Sequence, residues 1–253
     1  MFAALKYWWD RGTGRSEKRP FDAIETWAER AGFRFRKAKD GTRFVVEAAS
    51  GGQLLRMEWG PSQRSYIKQS ELRLRMDLSL PDSLQMLVLT QPLTEQLESE
   101  TFERYTQDAQ TVIDMSTPEE MRWLAMFQKV DLSFDTVLRS RFCVLGVHPE
   151  SALAWINGPL GAQLVRATQD LLASEAPFVL MTMRGKIYLR MQVAEPRPEV
   201  LSQCLEVFDA AAQSVQQITG QIPPNDAEWA STASTSWQTQ IPIDDEPPDS
   251  TRF

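Results

Sequence analysis

The stretch from Glu71 to Leu80 constrains this chain more than any other. Polar and apolar residues alternate there without a break. Leu72, Leu74, Met76, Leu78 and Leu80 fall on one side, and Glu71, Arg73, Arg75, Asp77 and Ser79 on the other. A period of two is that of a β-strand with one buried face. Pro81-Asp82-Ser83 follows; proline presets φ for a turn, and Asp and Ser bond the turn backbone. Leu84–Thr90 then resumes as an apolar run. The spacing predicts a hairpin centred on Asp82, with Leu80 facing Leu84, Leu78 facing Met86 and Met76 facing Val88. A short helix over Leu84–Leu89, capped by Ser83, is the alternative. In the hairpin register Arg75 lies across from Leu89, and Asp77 across from Leu87. Leu87 and Leu89 are too apolar to be left bare, so a helix, the other half of the chain or a partner is expected to cover them. Exposed together, they would mark a docking patch, with the stems of Arg73 and Arg75 over the same surface.

The flanking sequence reads as an antiparallel meander behind one helix. Phe21–Ala31 has helical spacing and ends at Gly32, a fitting residue just past a helix. Phe33–Arg36 and Thr42–Glu47 flank Asp40-Gly41, a strong turn dipeptide. Gln53–Trp59 is a third strand, and Tyr66–Leu80 reads as one long strand. From Pro92 the period changes to helical, with an interruption expected near Ser99. Thr117-Pro118-Glu119-Glu120 looks like a capping box with proline at the first helical position. Met121, Leu124, Ala125 and Val130 would face inward, beside Phe127 and a half-buried Trp123. The second half runs as a strand (Arg141–Val147), a helix broken at Asn157-Gly158-Pro159, a hairpin over Arg184-Gly185-Lys186, and a last helix over Pro198–Ile218. The fold class expected is therefore α+β: an antiparallel sheet with helices packed on one face. The chain would form one composite domain or two intimately packed halves, 21–130 and 140–220, divided near Asp131–Arg139. This order of helix, antiparallel strands and packing helix resembles small bacterial secretion-chaperone folds in outline. No diagnostic residue accompanies the likeness, and fold alone assigns no function.

The ends differ in composition. Residues 1–20 form an aromatic and basic arm, with Trp8 and Trp9 ahead of Arg11, Arg15, Lys18 and Arg19. Such an arm either rests at a membrane headgroup layer or docks on the body; Trp8, Trp9 and Arg11 are the candidate membrane contacts. Residues 221–253 are rich in Pro, Ser, Thr and acidic residues and hold few apolar ones, so disorder is expected there. Trp229 and Trp237, with Ile241 and Ile243 ahead of Asp244-Asp245-Glu246, could form a linear docking motif or fold back on the basic first hairpin.

Charge is unevenly spread. The net charge is −7, yet residues 1–75 carry 16 Lys/Arg against 9 Asp/Glu, and the remainder 11 against 25. Arg34 and Arg36, with Arg30, Lys37, Lys39 and Arg43, gather around the first hairpin, where they either meet an acidic partner or simply keep an edge strand solvated. The acidic whole argues against broad nucleic-acid binding, which needs a concentrated basic surface. The tripeptide Leu-Arg-Met occurs at Leu55–Met57, Leu74–Met76 and Leu189–Met191; chance in alternating strands explains it more simply than duplication.

No catalytic constellation stands out. His148 is the single histidine, so a histidine-based metal site is excluded. Cys143 lies on the far face of a regular strand from it, and with Cys204 it reads as a small core residue. Two cysteines imply no disulfide framework and suggest an intracellular, cytoplasmic setting. No phosphate-binding glycine loop, nucleophile elbow or zinc-binding motif is present, and no cofactor or metal is expected. The reading is a non-enzymatic protein-interaction module, a scaffold, adaptor or chaperone, with an unidentified protein partner. Its candidate contacts are Arg34, Arg36, Arg73, Arg75, Leu87, Leu89, Trp229 and Trp237. The alternatives are a peripheral membrane protein anchored by its arm, and a hydrolase or transferase using dispersed carboxylates and arginines.

Overall fold

The computed structural model describes residues 21–50, 53–107 and 117–220. Among these, helix α1 (Asp22–Arg30) leads into strands β1 (Arg34–Lys37), β2 (Phe44–Ser50), β3 (Gln53–Gly60), β4 (Glu71–Asp77) and β5 (Met86–Thr90). Helices α2 (Gln91–Gln107), α3 (Glu119–Met126) and α4 (Thr136–Arg141) follow, then β6 (Phe142–Gly146), α5 (Pro149–Ile156) and α6 (Pro159–Ala167). The described chain closes with β7 (Phe178–Met183), β8 (Lys186–Gln192) and α7 (Pro198–Thr219). The class is α+β, with one eight-stranded antiparallel sheet in the order β1-β2-β3-β4-β8-β7-β5-β6. The sheet runs through both halves of the sequence, joined at the β4–β8 ladder.

The hairpin expected over Glu71–Thr90 does not form. β4 pairs with β3 and β8, and β5 pairs with β6 and β7, so the β7–β8 hairpin lies between them. Arg184 and Gly185 both take positive φ, 50° and 76°, as a tight hairpin turn of this hand requires. The Gly185 carbonyl accepts from Leu78 N at 3.0 Å and Leu80 N at 3.2 Å. The turn thus claims the donors that a β4–β5 hairpin would have used. Thr182 fixes the other side: its Oγ1 donates to the Leu84 carbonyl at 2.8 Å and accepts from Met86 N at 3.1 Å. Leu78, Leu80 and Leu84 stay buried without being in a strand. The strand expected from Tyr66 likewise begins only at Glu71, and Tyr66 and Ile67 are buried from a loop.

Alternation divides the apolar residues between two faces. Leu72, Leu74 and Met76 of β4, with Ile187, Leu189 and Met191 of β8, join the main core beneath α1 and α5–α7. Helix α7 packs there through Leu201, Cys204, Val207, Phe208, Ala211 and Val215, and the Trp155 indole donates to the Ala211 carbonyl at 3.0 Å. The opposite face carries a smaller cluster. Leu87 and Leu89 of β5, Cys143 and Leu145 of β6, and Val179 and Met181 of β7 are sealed by Leu93, Leu97, Met121 and Trp123 from α2 and α3. Helix α2 runs unbroken through Ser99, and the Thr101 hydroxyl donates to the Leu97 carbonyl within it. Trp123 is buried rather than half-exposed, and Ala125 is exposed.

Candidate functional site

The smaller cluster covers only part of its face. Toward β1 the same face remains open, and its side chains are charged. β1 contributes Arg34 and Arg36, β2 Glu47, β3 Arg56 and Glu58, β4 Glu71, Arg73 and Arg75, and β8 Tyr188 and Arg190. Register brings them together: Arg34 pairs with Glu47, Arg56 with Arg75, Glu58 with Arg73, Arg73 with Arg190, and Arg75 with Tyr188. The result is an unbroken ladder of alternating charge across five strands. Arg36 Nη2 meets Glu47 Oε2 at 2.6 Å, and Arg56 Nη1 meets Glu47 Oε1 at 2.7 Å. Arg56 Nε also donates to Glu58, whose Oε2 takes Arg73 Nη2 at 3.1 Å. Arg73 Nη1 continues to Glu71 Oε2 at 3.3 Å, and Arg190 Nη1 reaches Glu71 Oε1 at 2.6 Å.

Glu71 is the buried centre of the ladder, at 0% exposure. Its Oε2 also accepts from Gln63 N at 2.8 Å, so three donors compensate the burial of its charge. Burial alone would raise the Glu58 pKa, but Arg56 and Arg73 outweigh it and hold the carboxyl below its ordinary value. Glu58 therefore stays ionised at neutral pH, which suits an ion pair and not a proton donor. A second buried carboxylate, Glu120, stands on α3. Its Oε1 accepts from Tyr66 Oη at 2.8 Å and Arg64 Nε at 3.1 Å. This replaces the capping box expected from Thr117 to Glu120: α3 starts after Pro118 with no side-chain cap, and Glu120 faces the loop instead. Burial, then Glu120, pushes the Tyr66 hydroxyl far up, so it serves as a neutral donor.

The ladder consumes its glutamates. Arg75 is exposed and makes no ion pair among the described residues, as is true of Arg34. Four arginines, Arg36, Arg56, Arg73 and Arg190, share three glutamates on this face, and with Arg34 and Arg75 beside them the face is cationic on a protein of net charge −7. Arg56, Arg73, Arg75, Tyr188 and Arg190 line a groove of about 520 Å³. A second groove, of about 560 Å³, lies at the end of β7 and is lined by Met183, Arg184, Glu119, Arg122, Met126 and Phe127, among others.

Of the sequence-derived candidates, Arg34, Arg36, Arg73 and Arg75 lie on this one open face. Leu87 and Leu89 share the face but are each 0% exposed under α2 and α3. They form no docking patch; the helices cover them. Arg75 lies across from Arg56 and Tyr188, and Asp77 from Lys186, in place of Leu89 and Leu87. Trp8, Trp9, Arg11, Trp229 and Trp237 lie outside the described residues. Sequence reasoning missed Glu47, Arg56, Glu58, Glu71, Tyr188 and Arg190. The signal was present in the three Leu-Arg-Met triplets, which occupy the adjacent strands β3, β4 and β8 and turn every arginine to the open face.

Other chemistry is sparse. Cys143 is buried, and burial raises its thiol pKa; His148 precedes α5 on the surface, 3.7 Å from Glu150. Among the described residues no group of three His, Cys, Asp or Glu side chains could hold a metal ion, and no helix is long and apolar enough to cross a membrane.

No family model matches the chain, and no curated protein matches it in sequence. Among solved structures, the mycobacterial trehalose monomycolate transport factor A, TtfA, is similar over 82% of this chain and 98% of that one. The TM-score is 0.46 and the identity 8%, and a likeness of that degree carries no functional argument.

Proposed function

We propose that the protein is a non-catalytic interaction module, a scaffold or adaptor, whose open sheet face docks an acidic polypeptide. The observation behind this reading is the arginine surplus at Arg75 and Arg34, which lie on strands beside a ladder that already engages Glu47, Glu58 and Glu71. The ladder fixes the guanidinium groups of Arg36, Arg56, Arg73 and Arg190 and leaves Arg34 and Arg75 exposed beside them. A partner carboxylate gains charge-assisted, bidentate hydrogen bonds from these two arginines. The interleaved glutamates disfavour a nucleic-acid backbone, whose evenly spaced phosphates call for many uninterrupted cations.

The test is retention of the full chain on immobilised polyglutamate at low ionic strength. A protein of net charge −7 is repelled by such a surface unless one face binds it. The expected result is retention that salt releases, and that Arg34→Glu with Arg75→Glu abolishes at unchanged melting temperature. Absence of retention, or equal retention of the variant, overturns the reading.

A further inference from the structure

Residues 221–253 supply six acidic residues and one basic residue, and three of the acids are consecutive, Asp244-Asp245-Glu246. Trp237, Ile241 and Ile243 precede them. The open face offers the complementary pair of features in the same order of scale. Arg75 makes no ion pair among the described residues, and a groove at the end of β7 exposes apolar surface of Met126, Phe127 and Met183. Met183 lies on β7 and Arg75 on β4, with β8 alone between them, so they stand about 10 Å apart across the sheet. Residues 237–244 can span that with length to spare at about 3.4 Å per residue. The tether is sufficient too. Helix α7 ends at Thr219 on the opposite side of the sheet, and residues 221–236 extend to about 50 Å. An eight-stranded sheet is only about 35 Å wide.

We infer that the chain's own segment Trp237–Glu246 occupies this face in the isolated protein, the acids on Arg75 and the indole in the groove of Met126 and Met183. The inference rests on the docking reading above and names what an external acidic partner must displace. Tethering raises the local concentration of the segment to about the millimolar range, so a monovalent competitor is held off while a multivalent one is not.

The experiment titrates a synthetic peptide copying residues 237–249 into two full-length proteins, the wild type and a tail-neutralised variant carrying Asp244→Asn, Asp245→Asn and Glu246→Gln. The expected result is binding at least tenfold tighter to the variant, lost when Arg75→Glu is added to it and weakened when the peptide carries Trp237→Ala. Equal affinity for both proteins overturns occupancy by the tail. Persistence after Arg75→Glu overturns the placement, as does loss on neutralising Arg11, Arg15, Lys18 and Arg19 instead. No binding to either protein overturns the inference as well. Retention on polyglutamate is a separate measurement, so the docking reading stands or falls independently of each of these outcomes.

Discussion

On the face that carries Arg75, strands β5, β6 and β7 present Leu87, Leu89, Cys143, Leu145, Val179 and Met181, whereas β1–β4 and β8 present arginines and glutamates. Helices α2 and α3 cover the first region and leave the second open. The boundary falls between β7 and β8, where Met181 pairs with Tyr188. Each buried leucine gains about 1.5–3 kcal/mol by leaving water. Covering the ladder would instead strip the remaining water from Arg36, Arg56, Arg73, Arg190, Glu47 and Glu58, and ion pairs in a dry interior seldom recover that cost. The helices therefore stop where the apolar residues stop. The same backbone surface becomes core on one side and a binding candidate on the other.

The sharpest way to break the comparison is to place a charge in the covered region. Leu89→Asp is expected to destabilise by about 4 kcal/mol or more, read by urea unfolding; a small loss would mean that the helices cover this region only loosely. Within the open region the deepest group is Glu71. Glu71→Ala strips Arg73 and Arg190 of their shared partner and is expected to lower stability by about 2–3 kcal/mol. A neutral outcome would show that the ladder is ornamental to folding. Tyr66→Phe removes a donor from the buried Glu120, whose Oε2 has no partner among the described residues, and should cost about 1–2 kcal/mol.

Acidification separates the two regions without mutation in the core. The Glu58 pKa is held down in the folded state, so its stabilising contribution is complete above the ordinary glutamate value of about 4.3. It is lost as pH falls through the depressed folded value. Glu58→Gln is expected to melt below wild type at neutral pH, with the gap closing on acidification; a gap independent of pH would contradict the ladder's role. The smallest expected change in stability belongs to Arg75→Glu, within about 0.5 kcal/mol, even though this substitution is expected to abolish binding of the tail peptide. A large loss would recast Arg75 as a structural residue.

Much of the fold was legible locally. The Pro198 helix, the break at Asn157-Gly158-Pro159 and the hairpin over Arg184-Gly185 are written in short-range period and turn chemistry, and each appears where expected. The strand character of Glu71–Asp77 was equally plain. Its neighbour was not. Nothing between Leu78 and Gln85 announces that the Gly185 carbonyl, about a hundred residues later, takes the donors of Leu78 and Leu80. Of the site, four arginines could be named, while the glutamates that order them could not, because a glutamate in a strand looks alike whether solvated or bridging.

The alternation at Glu71–Leu80 thus determined by itself that β4 is a strand, and that Arg73 and Arg75 share the face opposite Leu72, Leu74 and Met76. Leu87 and Leu89 do share the arginines' side of the sheet, although the hairpin register that placed them there does not form. Only the tertiary structure decided that two strands separate them, that helices cover the leucines and that the arginines stay open. The physical reason is range. A side chain's face follows from its own backbone period, whereas strand order and covering layers depend on which distant donors, acceptors and apolar surfaces meet.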